Sequence, residues 1–129
     1  MPTVKASIKT EPYKIEIKSQ SGNTVIADEP LDKGGKDLGF SPKELLIAAL
    51  SACTSATLRM YIEHKGWDVP EINVETELIE GEKTTTLNRK LHFNGILDEA
   101  QKERLIKIAN ACPVHKILAG DKDFHTEIV

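Results

Sequence analysis

Aromatic residues are scarce, 5 % of the 129-residue chain, and cationic residues (17) are outnumbered by acidic ones (20), which leaves a formal charge of −3. That balance, with a pI near 5.8, offers no basic footprint to neutralise phosphates, so nucleic acid is not an expected partner. Cysteine occurs only twice, at Cys53 and Cys112. In a reducing compartment such a pair is either inert apolar filler or a redox pair. The opening "MPTVKASIKTEPYKIEIK" lacks the ordered charged, apolar and small-residue regions of a secretory leader, which points to the cytoplasm. The longest weakly polar run, Leu45 to Leu58, is fourteen residues punctuated by serine and threonine. A span needs about twenty apolar residues, so this run reads as a core helix and no membrane is expected.

What is present is an ordinary globular composition, 40 % hydrophobic and 29 % charged with the signs interspersed, in a length that suits one domain over residues 1–129. Val4, Ala6 and Ile8 alternate with polar neighbours, as do Tyr13, Ile15 and Ile17; "SQSGN" marks a turn and "TVIA" a third short strand. "DEPLDKGGKDLGF" is too rich in Gly and Asp to pack as a regular element. Ser41, Pro42, Lys43 and Glu44 then spell a helix start: a Ser cap, Pro at the first helical position, and Glu at the third to reach back to the cap amide. No breaker follows until Gly66. About 25 residues at 1.5 Å each give a rod of about 37 Å, long enough to cross a whole domain of this size.

Six successive apolar residues, Leu45 to Leu50, cover every face of that rod at one end, and Ala48, Ala49, Ala52 and Ala56 permit close approach of another helix. A second copy of the chain would complete its burial, so a homodimer is expected; the alternative is a monomer whose sheets wrap the helix entirely. Beyond Trp67, read as a helix-end anchor, Ile72, Val74, Thr76 and Leu78 share one face of a strand, and Leu87, Arg89, Leu91 and Phe93 one face of its hairpin partner. "LDEAQKERLIKIANA" reads as a second helix capped by Asp98 with Gln101 three residues on, "CPVHKILAG" as a short third, and "DFHTEIV" as a closing strand.

The two thiols differ in setting. Leu46, Ala49, Leu50, Ala56, Thr57 and Met60 share the helical face of Cys53, an apolar wall that would raise its pKa, and the helix dipole fades three turns before reaching it. Cys112 precedes Pro113 and so falls near a helix N-cap, where exposed amides favour a thiolate, with His115 three residues on. Spacing alone leaves open whether the pair is redox-active or structural. His64, His92, His115 and His125 show no metal-ligand spacing, so no metal is expected. "DKGGKDLG" lacks the phosphate-loop pattern and is expected to be a mobile loop at the rim of the cysteine site.

The segments "GFSPKELLIAALSACTSATLRMYIEHKGW" and "ANACPVHKIL" resemble the two signature regions of the OsmC/Ohr family of osmotically induced and organic hydroperoxide resistance proteins, and the order of elements matches nearly the whole chain. The resemblance implies an α+β fold, with a long central cysteine-bearing helix packed with antiparallel sheets, in an intertwined homodimer. It implies thiol-dependent reduction of organic hydroperoxides in oxidative stress defence, with Cys53 aligned to the peroxidatic cysteine and Cys112 to the resolving one. A lipoyl-type dithiol would act as reductant, and no metal, flavin or haem would be required.

The chain departs from the family pattern in its cations. The family's peroxidases use an arginine from the N-terminal strand region to hold the thiolate and an acid at the third motif position to orient it. Here the three arginines, Arg59, Arg89 and Arg104, all follow Cys53, and the third motif position holds Lys43. Glu44, one residue later, lies opposite Cys53 on a regular helix and is explained by capping. Lys33, Lys36, Lys43 and Arg59 are the substitutes considered, though an ammonium lacks the planar fork of a guanidinium. These departures place the chain in a divergent OsmC-like branch. They leave an alternative to catalysis, a dimer that binds an apolar or thiol-containing small molecule.

Overall fold

Alternating residues and capping signals become, in a computed structural model describing residues 1–129, five strands and three α-helices, with one 3-10 turn, Leu31–Lys33, in the Gly- and Asp-rich segment that was expected to hold no regular element. They are β1 (Val4–Ile8), β2 (Ile15–Ser19), β3 (Thr24–Ala27), α1 (Pro42–Lys65), β4 (Glu71–Glu80), β5 (Thr85–Asn94), α2 (Glu99–Asn110) and α3 (Pro113–Ala119). This is the expected α+β class, with antiparallel pairing in both sheets. The residues group into two compact units, Met1–Ala48 and Ala49–Val129.

In the first unit β1, β2 and β3 form a meander, with Ala6 opposite Ile17 and Ile17 opposite Val25. The turn between β2 and β3 uses Gly22 at φ +92°, a left-handed geometry that costs glycine little. The segment after β3 was expected to be mobile, and the structure corrects that. Asp28, 1 % exposed, accepts hydrogen bonds from the amides of Glu29 (2.8 Å), Lys36 (3.3 Å) and Leu38 (3.2 Å), which gathers the loop around one carboxylate. Two glycines permit the close approach: a Cβ on Gly35 would lie 1.9 Å from the Glu29 carbonyl oxygen, and one on Gly39 2.0 Å from that of Ile26. Turn composition signals a loop, but not whether a buried acceptor will organise it.

Burial alone would push the Asp28 carboxyl up, but the amides of Leu38, Glu29, Lys36 and Tyr13 outweigh it and hold the group below its ordinary value of 3.8. A carboxyl depressed in the folded state contributes stability above its unfolded value, and that contribution is lost as pH falls through the folded value. Asp28→Asn is therefore expected to remove part of the acid dependence of the urea midpoint below about pH 4, while wild type keeps it.

The start of α1 is the capping box read from the sequence: the Ser41 amide donates to Glu44 Oε1 (2.9 Å) and the Glu44 amide to Ser41 Oγ (3.2 Å). Those bonds, the amide foremost, lower the Glu44 carboxyl below its ordinary value. The helix ends at Gly66, φ +70°, with the Trp67 amide donating back to Ile62 O (3.2 Å), and Trp67 packs edge-on against Tyr61 as the expected anchor. By length and composition α1 could cross a membrane, a test that the fourteen-residue run did not anticipate and that core helices of soluble proteins also pass. Its hydroxyls are engaged with protein: Ser51 with Thr76 (2.7 Å) and Ser55 with the Ser51 carbonyl (2.8 Å).

In the second unit, Leu50, Thr54, Leu58 and Ile62 recur every fourth residue and form the buried ridge of α1. Leu58 and Ile62 join Val69, Leu105 and Ala109 in a core covered by Ile72, Val74, Leu91 and Phe93 from the hairpin. Strand register puts Ile72 opposite Phe93, Val74 opposite Leu91, Thr76 opposite Arg89 and Leu78 opposite Leu87, so one face of β4 and β5 is the alternation predicted from sequence. The turn at residues 81–84 closes with the Gly81 amide on Thr84 O (3.0 Å). α2 begins with the Asp98 and Gln101 capping box, and α3 with Cys112 at its N-cap and Pro113 at its first position. Residues 121–129 are not the expected strand: "DFHTEIV" alternates correctly, but a strand requires a ladder partner and none in this chain pairs with it. Phe124, 87 % exposed, is left in the open.

Candidate functional site: two thiols beside an arginine

Cys53 and Cys112 come together in the second unit. Cys112 has extended backbone geometry, φ −66° and ψ 147°, as expected of a residue before proline, and this turns its side chain back over the first turn of α3. Its sulfur accepts from the His115 amide (3.4 Å) and lies 3.6 Å from Thr54 Oγ1. The Cys53 sulfur accepts from the preceding amide, that of Val114 (3.5 Å), and the Cys53 thiol is one of the groups that lower the Cys112 thiol. Both sulfurs therefore meet amides of α3. For Cys53 this was not legible, because the amide comes from a different helix from the one that carries the thiol.

The sulfurs differ in access. Cys112 is fully buried and Cys53 half-buried. The enclosed apolar wall expected around Cys53 is open here, with Met60 on the same helical face 68 % exposed. Burial alone would push the Cys112 thiol up. The His115 amide, the Thr54 hydroxyl, the Cys53 thiol and the Arg89 charge together outweigh it, and the group sits below its ordinary value of 9.0.

Arg89 is the residue that sequence reasoning missed. One guanidinium nitrogen donates to Thr54 Oγ1 (3.0 Å) and the Ala109 carbonyl (3.0 Å), and the other to Asn110 Oδ1 (3.0 Å) and His115 Nδ1. One planar fork from β5 thus ties together α1, the C-terminus of α2, where a cation is favoured, and α3. A guanidinium only donates, so His115 Nδ1 carries the lone pair and a neutral ring holds its proton on Nε2. The available signal was positional: an arginine at an inward register between Leu87 and Leu91 needs a buried polar destination.

Of the cations singled out from sequence, Arg59 donates to the Val69 carbonyl (2.8 Å) and Lys36 pairs with Glu11 (3.7 Å). Beside Arg89 and His115 opens a cavity of about 270 Å³, walled by Leu50, Leu87 and Leu118. Apolar walls ending at a guanidinium and an imidazole suit a small apolar molecule with one polar end.

A mixed fold of antiparallel sheets and helices with two apposed thiols defines a class of cysteine-bearing α+β proteins. Within it, the profile of the OsmC-like protein family matches residues 34–127, and the chain belongs to that family. Among solved structures it resembles a Psychrobacter arcticus protein assigned to the osmotic stress induced and detoxification response, with a TM-score of 0.78, 25 % identity, and coverage of 91 % of this chain and 88 % of that one. An organic hydroperoxide resistance protein of Elizabethkingia anophelis gives a TM-score of 0.70 at 22 % identity, covering 94 % and 89 %. A Vibrio cholerae protein assigned to organic hydroperoxide resistance, with captopril bound in one of its active sites, gives 0.68 at 17 %, covering 94 % and 85 %. The last two likenesses speak to the fold. No curated protein sequence matches the chain.

Proposed function

We propose that the protein is a thiol peroxidase that reduces organic hydroperoxides in defence against peroxide stress, through Cys53 and Cys112. The observation that carries this reading is the pair of thiols on two consecutive amides of α3, one half-buried and one buried, in a member of the OsmC-like family. Family relatives named for organic hydroperoxide resistance support the substrate class. The Cys53 thiolate attacks the peroxide, the O–O bond breaks, the alcohol leaves after taking a proton, and Cys53 becomes sulfenic acid. Cys112 then forms the disulfide and water departs. A dithiol of the lipoyl type restores both thiols by exchange and leaves as its own cyclic disulfide.

The same reading makes the active form a cytoplasmic homodimer of single-domain chains. The exposed Met60 on α1, β1 exposed along its whole length, and the unpaired end at residues 121–129 are surfaces that a second copy would cover. Reduced protein treated with cumene hydroperoxide is expected to lose two hydrogens in its intact mass. If both thiols stay titratable under excess peroxide, the enzyme reading fails. The second reading, a non-catalytic binding dimer, would then take its place, favoured by the cavity beside Arg89 and by the captopril in the Vibrio cholerae relative.

A further inference from the structure

We propose that Arg89 is a positioning residue for the second sulfur: through Thr54 and His115 it holds Cys112 ready to attack the oxidised Cys53 and close the disulfide. The inference rests on the peroxidase reading. Two of the four groups that Arg89 grips, Thr54 and His115, belong to residues that contact the Cys112 sulfur, through Thr54 Oγ1 at 3.6 Å and the His115 amide at 3.4 Å. The Cys53 sulfur accepts instead from the Val114 amide. Charge on a fully buried sulfur is costly without a cation and N–H donors close by, and Cys112 has both. The titratable groups facing it are Cys53 from α1, Arg89 from β5 and His115 from α3, while α2 contributes to the guanidinium only the neutral Ala109 carbonyl and the Asn110 amide.

Labour divides accordingly. The accessible sulfur meets the peroxide, and the buried one stores the charge. The Cys53 thiolate attacks the terminal peroxide oxygen, the O–O bond breaks, and the departing alkoxide takes a solvent proton to leave as alcohol. The Cys112 thiolate then attacks the Cys53 sulfenic sulfur, the S–S bond forms, and hydroxide leaves and is protonated by solvent. Two electrons pass from the sulfurs to the peroxide oxygens, and two solvent protons and the hydroperoxide hydrogen appear in alcohol and water.

The test compares wild type, Arg89→Met and Arg89→Lys, reduced and mixed with cumene hydroperoxide in the presence of dimedone. Wild type is expected to reach the disulfide with little dimedone adduct. Arg89→Met is expected to accumulate the adduct on Cys53 while closure slows several-fold, because the Cys112 thiol loses the charge that favours its thiolate. Arg89→Lys, which keeps the charge but cannot span Thr54 and His115 together, should fall between them. A second readout is the thiolate ultraviolet absorbance against pH in Cys53→Ser protein, where Cys112 is the one thiol; adding Arg89→Met should move its titration upward. Closure at the wild-type rate with an unmoved titration overturns the proposal, and if Arg89→Met does not fold, the same two results for Arg89→Lys do so. Absence of any disulfide in wild type would instead sink the peroxidase reading, and the Cys112 titration would still decide the role of Arg89.

Discussion

Cys53→Ser protein is expected to consume organic hydroperoxide no faster than a free thiol does, a loss on the order of 10³-fold or more, because the substitution removes the sulfur that peroxide can reach. Cys112→Ser is expected to behave differently. Its Cys53 still reacts once, the mass rises by one oxygen, and turnover stops because no second sulfur is present to release water. Intact mass after a single equivalent of cumene hydroperoxide separates the two outcomes. Equal and complete loss in both variants, with no oxygen gained by Cys112→Ser, would show that the two sulfurs do not divide the steps as proposed.

Arg89→Leu should cost the hairpin substantial stability. Leucine suits the apolar face between Leu87 and Leu91, so simple hydrophobicity would predict a gain. The expectation runs the other way, since the Ala109 carbonyl, Asn110 Oδ1 and His115 Nδ1 lose their donor and Thr54 Oγ1 loses one of three partners. Hydrogen bonds to a charged donor contribute about 1.5 to 3 kcal/mol each, but they are not additive and Arg89 is only half-buried, so a loss of about 3 kcal/mol is expected. Lys90→Leu, one residue along on the exposed face, should change stability by no more than about 0.5 kcal/mol. Urea midpoints with unchanged slopes would establish the contrast, and similar losses at both positions would contradict it.

Local chemistry made most of the framework legible. Ser41 with Glu44 and Asp98 with Gln101 each announce a helix start through a reciprocal pair of bonds that needs no tertiary context. Pro113 likewise fixes the backbone of Cys112 and thereby the first turn of α3. Where a feature depends on residues distant in sequence, legibility fell. The Val114 amide on Cys53, the loop gathered by Asp28, and the missing ladder partner of residues 121–129 all depend on which segments meet. Arg89 lies between these cases: its inward register was visible in the alternation Leu87, Arg89, Leu91, Phe93, but its destination was not. A charge where the strand period demands an apolar residue is therefore the stronger pointer to a site, and the lysines near the motif were weighed for their place in the sequence rather than for the direction of their side chains.

The tight turn at residues 81–84 has a role beyond joining two strands. Side chains alternate along β5 with a period of two, so the pairing of Thr76 with Arg89 is set by how many residues the turn spends between Glu80 and Thr85. One residue more or fewer, with the β4 register kept, would rotate Arg89 toward solvent and bring Asn88 or Lys90 to the inward position. Gly81, where a Cβ would lie 2.8 Å from the Thr84 carbonyl oxygen, permits the short form of that turn. The length of a solvent-facing loop that touches neither sulfur thus acts as a counter, fixing whether a guanidinium, an amide or an ammonium takes the inward position opposite Thr76.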